Sequence, residues 1–527
     1  MPYQLRRQVL LGLCGAAALM AAWPAAAQAP LVDYEAAAKA PPVVESAQWR
    51  LAFRPVTSVL SQSVAQLRTA PGVSPAALAE ADRLIAASAA QPEPEARRTL
   101  WHAAAVLLGR RWSPAQEAVG ALALRAGTPV STGGREAIRF ETLYPLPAGA
   151  NAHFSLALYR ADATSSATPR RGPLVKTLAE GELGAARSID IDLGAVADGG
   201  YLLIATVTAD GEARGELAQS IYVVRDLAAR AAALKARLAK VSGHEAAKQT
   251  AEYPFALAEG LRAGTRQIIA YDFPRGIARS MRIADDLARG QDDVWQAKGL
   301  QDRAYAFAPT GELIPYEIYV PSTWTPTRRW PLVVALHGAN LDETNMLGRA
   351  GGEMQKLAEQ HGFVVVTPLG YRLNSAYGSE RGMAKAIAGD DLQRRRRSEE
   401  DVMQVLAKVE TEYNVDPARR YLTGNSMGGG GTWWIGGHHP EIWAAIAPAA
   451  YGGVLPEDVA NLSRFPIMAV VGDHDEVGML PRVKASVATL EAGGVHPQYV
   501  EVAGGTHASA YEMTLPRIFD FFSEHKR

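Results

Sequence analysis

The stretch Tyr421-Leu422-Thr423-Gly424-Asn425-Ser426-Met427-Gly428-Gly429-Gly430-Gly431 decides how the C-terminal part of this chain is read. The short apolar run at 421–423 suits a buried strand, and the glycines after Ser426 open a helix, so the serine falls on the turn between them. A side chain two residues either side of a serine on so tight a turn would collide with the neighbouring strand and helix. Gly424 and Gly428 stand at those positions. The pattern therefore presents a hydroxyl at the end of a strand, on a backbone with room for close packing.

A serine hydroxyl is a weak nucleophile until an imidazole removes its proton, so a histidine is expected later in the chain. His507, in the polar loop Gly504-Gly505-Thr506-His507-Ala508 before the last helical stretch, fits best. His474 lies too close to the acid candidates, His496 adjoins Pro497, and His525 is almost terminal. An acid must orient the imidazole, and Val470-Val471-Gly472-Asp473-His474-Asp475 supplies two aspartates after an apolar run. Asp475 stands three residues after Gly472, as in a G-x-x-D loop, and Asp473 is the alternative. A developing oxyanion needs backbone N–H donors aimed in advance. One is expected from Met427, next to the serine, and a second from Ala339 in the loop Leu336-His337-Gly338-Ala339-Asn340, where His337 shapes the loop.

Around these residues the sequence alternates strands and helices. Residues 331–336, 363–367, 421–423 and 466–471 are short apolar runs suited to buried parallel strands, with helical stretches between them. Residues 301–527 are thus expected to form an α/β domain with a mainly parallel sheet. Trp433 and Trp434 are read as core packing, and His438 and His439 as polarity at a helix end, since no set of further ligands suggests a metal. The run Arg394 to Arg397 is read as a solvated helix start balanced by Glu399, Glu400 and Asp401. Residues 372–397 are long enough for a lid or a pocket wall.

Upstream the texture changes three times. Residues 30–127 are Ala-rich with helix-start signals at Ser74-Pro75 and Ser113-Pro114, and are expected to be helical. Residues 128–225 carry β-rich runs at 154–159, 188–193, 201–208 and 220–224, a spacing that suggests an immunoglobulin-like sandwich. Leu227, Leu234, Leu238 and Val241 then fall at helical spacing, and 226–300 reads as a helical connector. At the N-terminus, Arg6 and Arg7 precede an apolar run over 9–23 and small residues that offer cleavage after Ala27 or Ala29. Residues 1–27 read as a signal peptide for export to the periplasm or medium, and Arg6-Arg7 resembles a twin-arginine motif. Leu13 before Cys14, the one cysteine, argues against lipidation.

Composition sets the outer limits. The 527 residues should hold two to four domains, and 48% hydrophobic with 21% charged residues excludes wholesale disorder. Lys+Arg 54 against Asp+Glu 55 leaves a charge of −1, without the positive field that nucleic acid requires, so no nucleic-acid partner is expected. After cleavage no cysteine remains, which removes disulfides and thiol chemistry. No later apolar stretch reaches membrane-spanning length without charges, so no integral membrane segment is expected in the mature chain.

The order Ser426, Asp475, His507 is the order of an α/β-hydrolase. The run from Ser398-Glu399-Glu400-Asp401-Val402 through Tyr413-Asn414-Val415-Asp416-Pro417 and Arg420-Tyr421-Leu422-Thr423-Gly424 to Ser426-Met427-Gly428-Gly429 and Gly431-Thr432-Trp433 resembles the secreted esterase and predicted-peptidase branch of that fold. This branch neighbours feruloyl esterases and polyhydroxybutyrate depolymerases, and the resemblance covers about 304–527. It implies hydrolysis of a small or polymer-linked carboxylic ester through an acyl-enzyme, with no metal or organic cofactor. It leaves open a serine peptidase of the prolyl-oligopeptidase type and a polyester depolymerase. A β-sandwich ahead of such a domain is similar to the arrangement in some bacterial carboxylesterases.

Overall fold

The structure is a computed structural model that describes residues 72–109, 122–142, 152–162, 170–183, 187–209 and 212–527, with Val64, Leu67 and Arg68. The leader with its cleavage positions and the Ser113-Pro114 signal lie outside the described residues. Ser74 caps the helix Pro75–Ser88, its hydroxyl accepting from the Ala77 N–H at 3.2 Å, and Pro75 occupies the first turn, where a missing N–H costs nothing. That helix packs on Glu93–Leu107 through Leu84, Leu100 and Leu107.

Among the described residues eight strands follow: β1 Leu122–Ala126, β2 Val130–Ser131, β3 Arg135–Thr142, β4 Ala152–Asp162, β5 Arg170–Leu183, β6 Arg187–Asp192, β7 Gly199–Ala209 and β8 Glu212–Val223. They form one sheet of order β1-β3-β6 and another of order β2-β8-β7-β4-β5. Alternate residues of both, among them Leu124, Phe140, Leu156, Leu203 and Ile221, meet in one core. β1 corrects the sequence reading, which carried helix to residue 127. Leu122 and Leu124 are buried at alternate positions and β1 pairs antiparallel with β3, so the partner strand overrides the helical preference of the alanines and leucines.

Helices Leu227–Leu238, Glu245–Arg262 and Phe273–Ala288 come next. Leu234, Leu238, Phe255 and Leu287 pack with Val130 and Tyr222 of the sandwich. The second helix also touches the next domain, where Gln249 Oε1 accepts the Ala306 N–H at 3.1 Å and Thr250 Oγ1 the Ala304 N–H at 3.3 Å. Those amides belong to an edge strand that would otherwise expose unpaired backbone groups.

The third sheet contains β9 Gly299–Ala306, β10 Leu313–Val320, β11 Trp330–Leu336, β12 Val364–Pro368, β13 Val415–Asn425, β14 Ala445–Ala449, β15 Met468–Gly472 and β16 Gln498–Val502. Their order is β9-β10-β12-β11-β13-β14-β15-β16. β9, β10 and β12 pair antiparallel, and every pair from β12 to β16 is parallel. This is the sheet of an α/β-hydrolase. All seven residues of β11 are buried because both faces are covered. Leu332, Val334 and Leu336 pack beneath the helices Leu392–Tyr413, Met427–His438 and Leu480–Ala492. Val333 and Ala335 face the helices Thr344–His361 and Ser509–Glu524.

Two expectations change here. The helix containing Arg394 to Arg397 starts at Leu392, with Asp391 accepting the Arg394 N–H at 2.9 Å, but its start is not solvated: Arg395 is 1% exposed and Arg397 8%. Arg397 Nη1 donates to the Tyr371 hydroxyl at 3.1 Å. Residues 371–379, which include the short turn Ala376–Gly378, are all buried. This part of the 372–397 segment is therefore an interior wall and not a lid.

Candidate active site

Ser426 stands between β13 and the helix Met427–His438 with φ 58° and ψ −120°. A non-glycine residue held there costs of order 1–3 kcal/mol, so the surroundings must enforce it. They do so by backbone contact. The Ser426 N–H donates to the Ala449 carbonyl at 3.0 Å. A Cβ on Gly424 or Gly428 would collide with the Leu336 carbonyl. Met427 is the first residue of the helix, and an amide there has no carbonyl one turn back to bond, so it is available to a ligand.

The loop after β11 lies against this turn. A Cβ on Gly338 would sit 3.5 Å from both the Asn425 carbonyl oxygen and Ser426 Cβ, which places the backbone before Ala339 beside the serine. His337 is fully buried, with Nδ1 2.8 Å from the Gly338 carbonyl and Nε2 2.7 Å from the Leu369 carbonyl, so its ring ties the loop to the end of β12. Burial pulls its pKa down. Asn340, at φ 60°, donates its N–H to Asn374 Oδ1 at 2.9 Å, and Asn374 Nδ2 returns a bond to Asn340 Oδ1 at 2.8 Å.

Asp475 follows β15 with its side chain wholly withdrawn from solvent. Its Oδ1 accepts the N–H groups of Val477 at 3.0 Å and Met479 at 3.2 Å, and Oδ2 lies 2.9 Å from His507 Nδ1. Asp473 is bonded instead to the exposed ring of His474 at 2.7 Å. The two loops are laced together: the Asp473 N–H donates to the Val502 carbonyl and the His474 N–H to that of Gly505. Gly472 permits this, because a Cβ there would overlap the Gly505 carbonyl. The other ring nitrogen, His507 Nε2, is buried and has no hydrogen-bond partner, Ser426 Oγ included. Catalytic hydrogen bonds are commonly long in unliganded sites.

Other singled-out residues have structural partners. Trp433 Nε1 donates to the Tyr451 carbonyl at 3.0 Å from within the core. Trp434 stacks on His438 at 3.8 Å and donates to Glu399 Oε2, while His439 meets Glu399 Oε1 at 2.8 Å. Hydrogen bonding to Glu399 raises the His439 pKa. Among the described residues no three His, Cys, Asp or Glu groups are placed to hold a metal ion, and no helix is long and apolar enough to cross a membrane.

Sequence reasoning missed several supports. Glu476 Oε2 accepts the His507 N–H at 2.9 Å. Buried Asp401 accepts the Tyr305 hydroxyl at 2.5 Å and the Tyr371 N–H at 2.7 Å, fixing the chain after β12. These contacts span 30 to 96 residues of sequence, and no local pattern announces them.

Residues 308–521 match the family model described as "Putative esterase". A stretch of 160 residues is 31% identical to the bifunctional acetylxylan esterase/xylanase XynS20E of Neocallimastix patriciarum, covering 30% of this chain and 21% of that protein. The chain thus spans about a fifth of the length of that curated relative. Among solved structures, a thermostable esterase aligns over 77% of this chain and all of its own length at 19% identity and TM-score 0.37. The feruloyl esterase module of Clostridium thermocellum aligns over 44% of this chain and 88% of its own at 15% identity and TM-score 0.34.

Proposed function

We propose that this chain is an exported serine carboxylic-ester hydrolase with Ser426, His507 and Asp475 as its triad. The observation that carries the reading is the Asp475–His507 pair: a buried carboxylate 2.9 Å from Nδ1 and an unpartnered Nε2, on loops at the same end of the sheet as the strained Ser426 turn. Because Asp475 accepts at Nδ1, the ring proton stays there and Nε2 keeps its lone pair. Ser426 Oγ attacks the ester carbonyl as Nε2 takes its proton. The N–H groups of Ala339 and Met427 receive the oxyanion, and they need no reorganisation because their loops are already pinned. The tetrahedral species collapses to an acyl-serine while Nε2 returns the proton to the departing alcohol. Water, deprotonated by Nε2, then releases the acid and restores the serine.

The test is initial rate on p-nitrophenyl acetate, butyrate and octanoate, methyl ferulate and a peptide p-nitroanilide, each with a Ser426→Ala control. Serine-dependent ester cleavage with negligible anilide cleavage is expected. Preferential anilide cleavage would move the protein to the peptidases, and full activity in Ser426→Ala would end this assignment. Export is tested by the N-terminus of the protein recovered outside the cytoplasm, which should begin at Gln28 or Pro30. An intact Met1 there would contradict it.

A further inference from the structure

A cavity of about 330 Å³ lies where the connector helices meet the edge of the hydrolase sheet. Tyr253 and Tyr271 line it from the connector, Asp302 from β9, Glu317 from β10, and Asp342 and Glu343 from the chain after the Ala339 loop. Glu317 is 5% exposed, and its Oε2 has no hydrogen-bond partner. A buried carboxyl group is normally paired or keeps its proton, because an uncompensated charge there is costly.

Two of the cations nearby are otherwise engaged. Arg303 is committed to Glu412, with contacts of 2.9 and 3.0 Å. Arg279 Nη1 donates to the Asp302 backbone carbonyl at 2.7 Å. Arg275, also on the wall, favours the Glu317 carboxylate through its charge but forms no ion pair with it. Glu317, Asp342 and Glu343 thus line one cavity with no arginine among the described residues ion-paired to them. They do not converge as metal ligands do, and the space is far larger than a bare ion needs. It has the size of a small-molecule site. Tyr253 and Tyr271, edge to face at 6.0 Å, add aromatic faces of the kind that attract organic cations.

We propose that this cavity binds a small organic ammonium ion, with Glu317 and Glu343 as its counter-charges, at a site separate from Ser426. β10 is three strands from β13 in the sheet, about 14 Å at roughly 4.8 Å per strand. Burial and neighbouring carboxylates hold the Glu317 pKa up at about 10 and that of Glu343 well above its usual value, so both keep their protons in the empty cavity, and a bound cation would draw those protons off and pair with the carboxylates. The proposal does not depend on the esterase reading. A free amine and an ester whose alcohol carries the ammonium group share this chemistry.

Isothermal titration of the full mature chain at low salt separates the possibilities. Putrescine should bind with one-to-one stoichiometry, its uncharged counterpart 1,4-butanediol should not, and Glu317→Gln and Glu343→Gln should each weaken putrescine at least about tenfold, with unchanged circular dichroism showing that the variants fold. In Ser426→Ala, which cannot turn an ester over, tighter binding of acetylcholine than of putrescine assigns the site to an ester-borne ammonium, and the reverse assigns it to a free amine. No saturable heat with either cation, equal binding of the diol, or unchanged affinity in both folded glutamine variants would overturn the proposal.

Discussion

Asp475→Asn replaces one oxygen by an NH2 group, and the surroundings decide which way the amide faces. Oδ1 accepts two backbone N–H groups, from Val477 and Met479. Turning the NH2 towards them would leave both donors unsatisfied, at about 1–3 kcal/mol each, so the amide oxygen stays there. The NH2 then takes the place of Oδ2, 2.9 Å from His507 Nδ1. A donor in that position forces Nδ1 to accept, moves the ring proton to Nε2 and removes the base that the proposed mechanism assigns to Ser426. In Ser-His-Asp enzymes this tautomer error costs about 10⁴ in kcat, or about 5.5 kcal/mol of barrier. A loss of that order is expected for p-nitrophenyl acetate hydrolysis, with little change in the urea unfolding midpoint. Asp473→Asn, at an exposed residue bonded to His474, should change the rate less than about twofold. An Asp475→Asn enzyme within tenfold of the parent, or an equal loss in Asp473→Asn, would refute the reasoning.

Glu412→Ala should destabilise the fold by about 3–5 kcal/mol in urea unfolding, because it strands Arg303, whose side chain is fully buried, without its carboxylate; a cost below about 1 kcal/mol would show that the pair is replaceable by water. Asp401 gives a pH signature. Burial raises its pKa to about 6, against about 3.9 in the unfolded chain. Between these values the folded state holds the extra proton, so rising pH lowers stability across about pH 4 to 6, by about 3 kcal/mol in all. Asp401→Asn, whose amide can still serve both the Tyr371 N–H and the Tyr305 hydroxyl, should remove that component; an unchanged slope of unfolding free energy against pH would count against it.

What the sequence discloses here depends on how local the cause is. The Ser426 turn is legible because Gly424 and Gly428 lie within two residues of the strain that they relieve. β11 and β15 are legible because burial on both faces leaves an unbroken apolar run. β9 is not: Gln301, Asp302 and Arg303 look like a polar loop, and their reason for being in a strand is Glu412 and the connector helix, each far away in sequence. The Arg394 to Arg397 run misleads in the same way. Nothing local says that residues 371–379 will lie in the interior and that Tyr371 will receive the Arg397 guanidinium. In β1, period-two burial of two leucines is hidden among good helix formers until β3 is beside them. Asp475 and Asp473 differ by two positions, and only the loop around them, which turns one inward and the other towards His474, distinguishes their environments.

The proposed chemistry turns on Ser426 being a nucleophile activated by His507. Its most direct test is to incubate the protein with a fluorophosphonate and locate the adduct by peptide mass spectrometry. One adduct per chain on the Ser426 peptide, absent in Ser426→Ala and slowed by several orders of magnitude in His507→Ala, is the predicted result. An adduct at another residue, or labelling of Ser426 at the parent rate without His507, would rule this activation out.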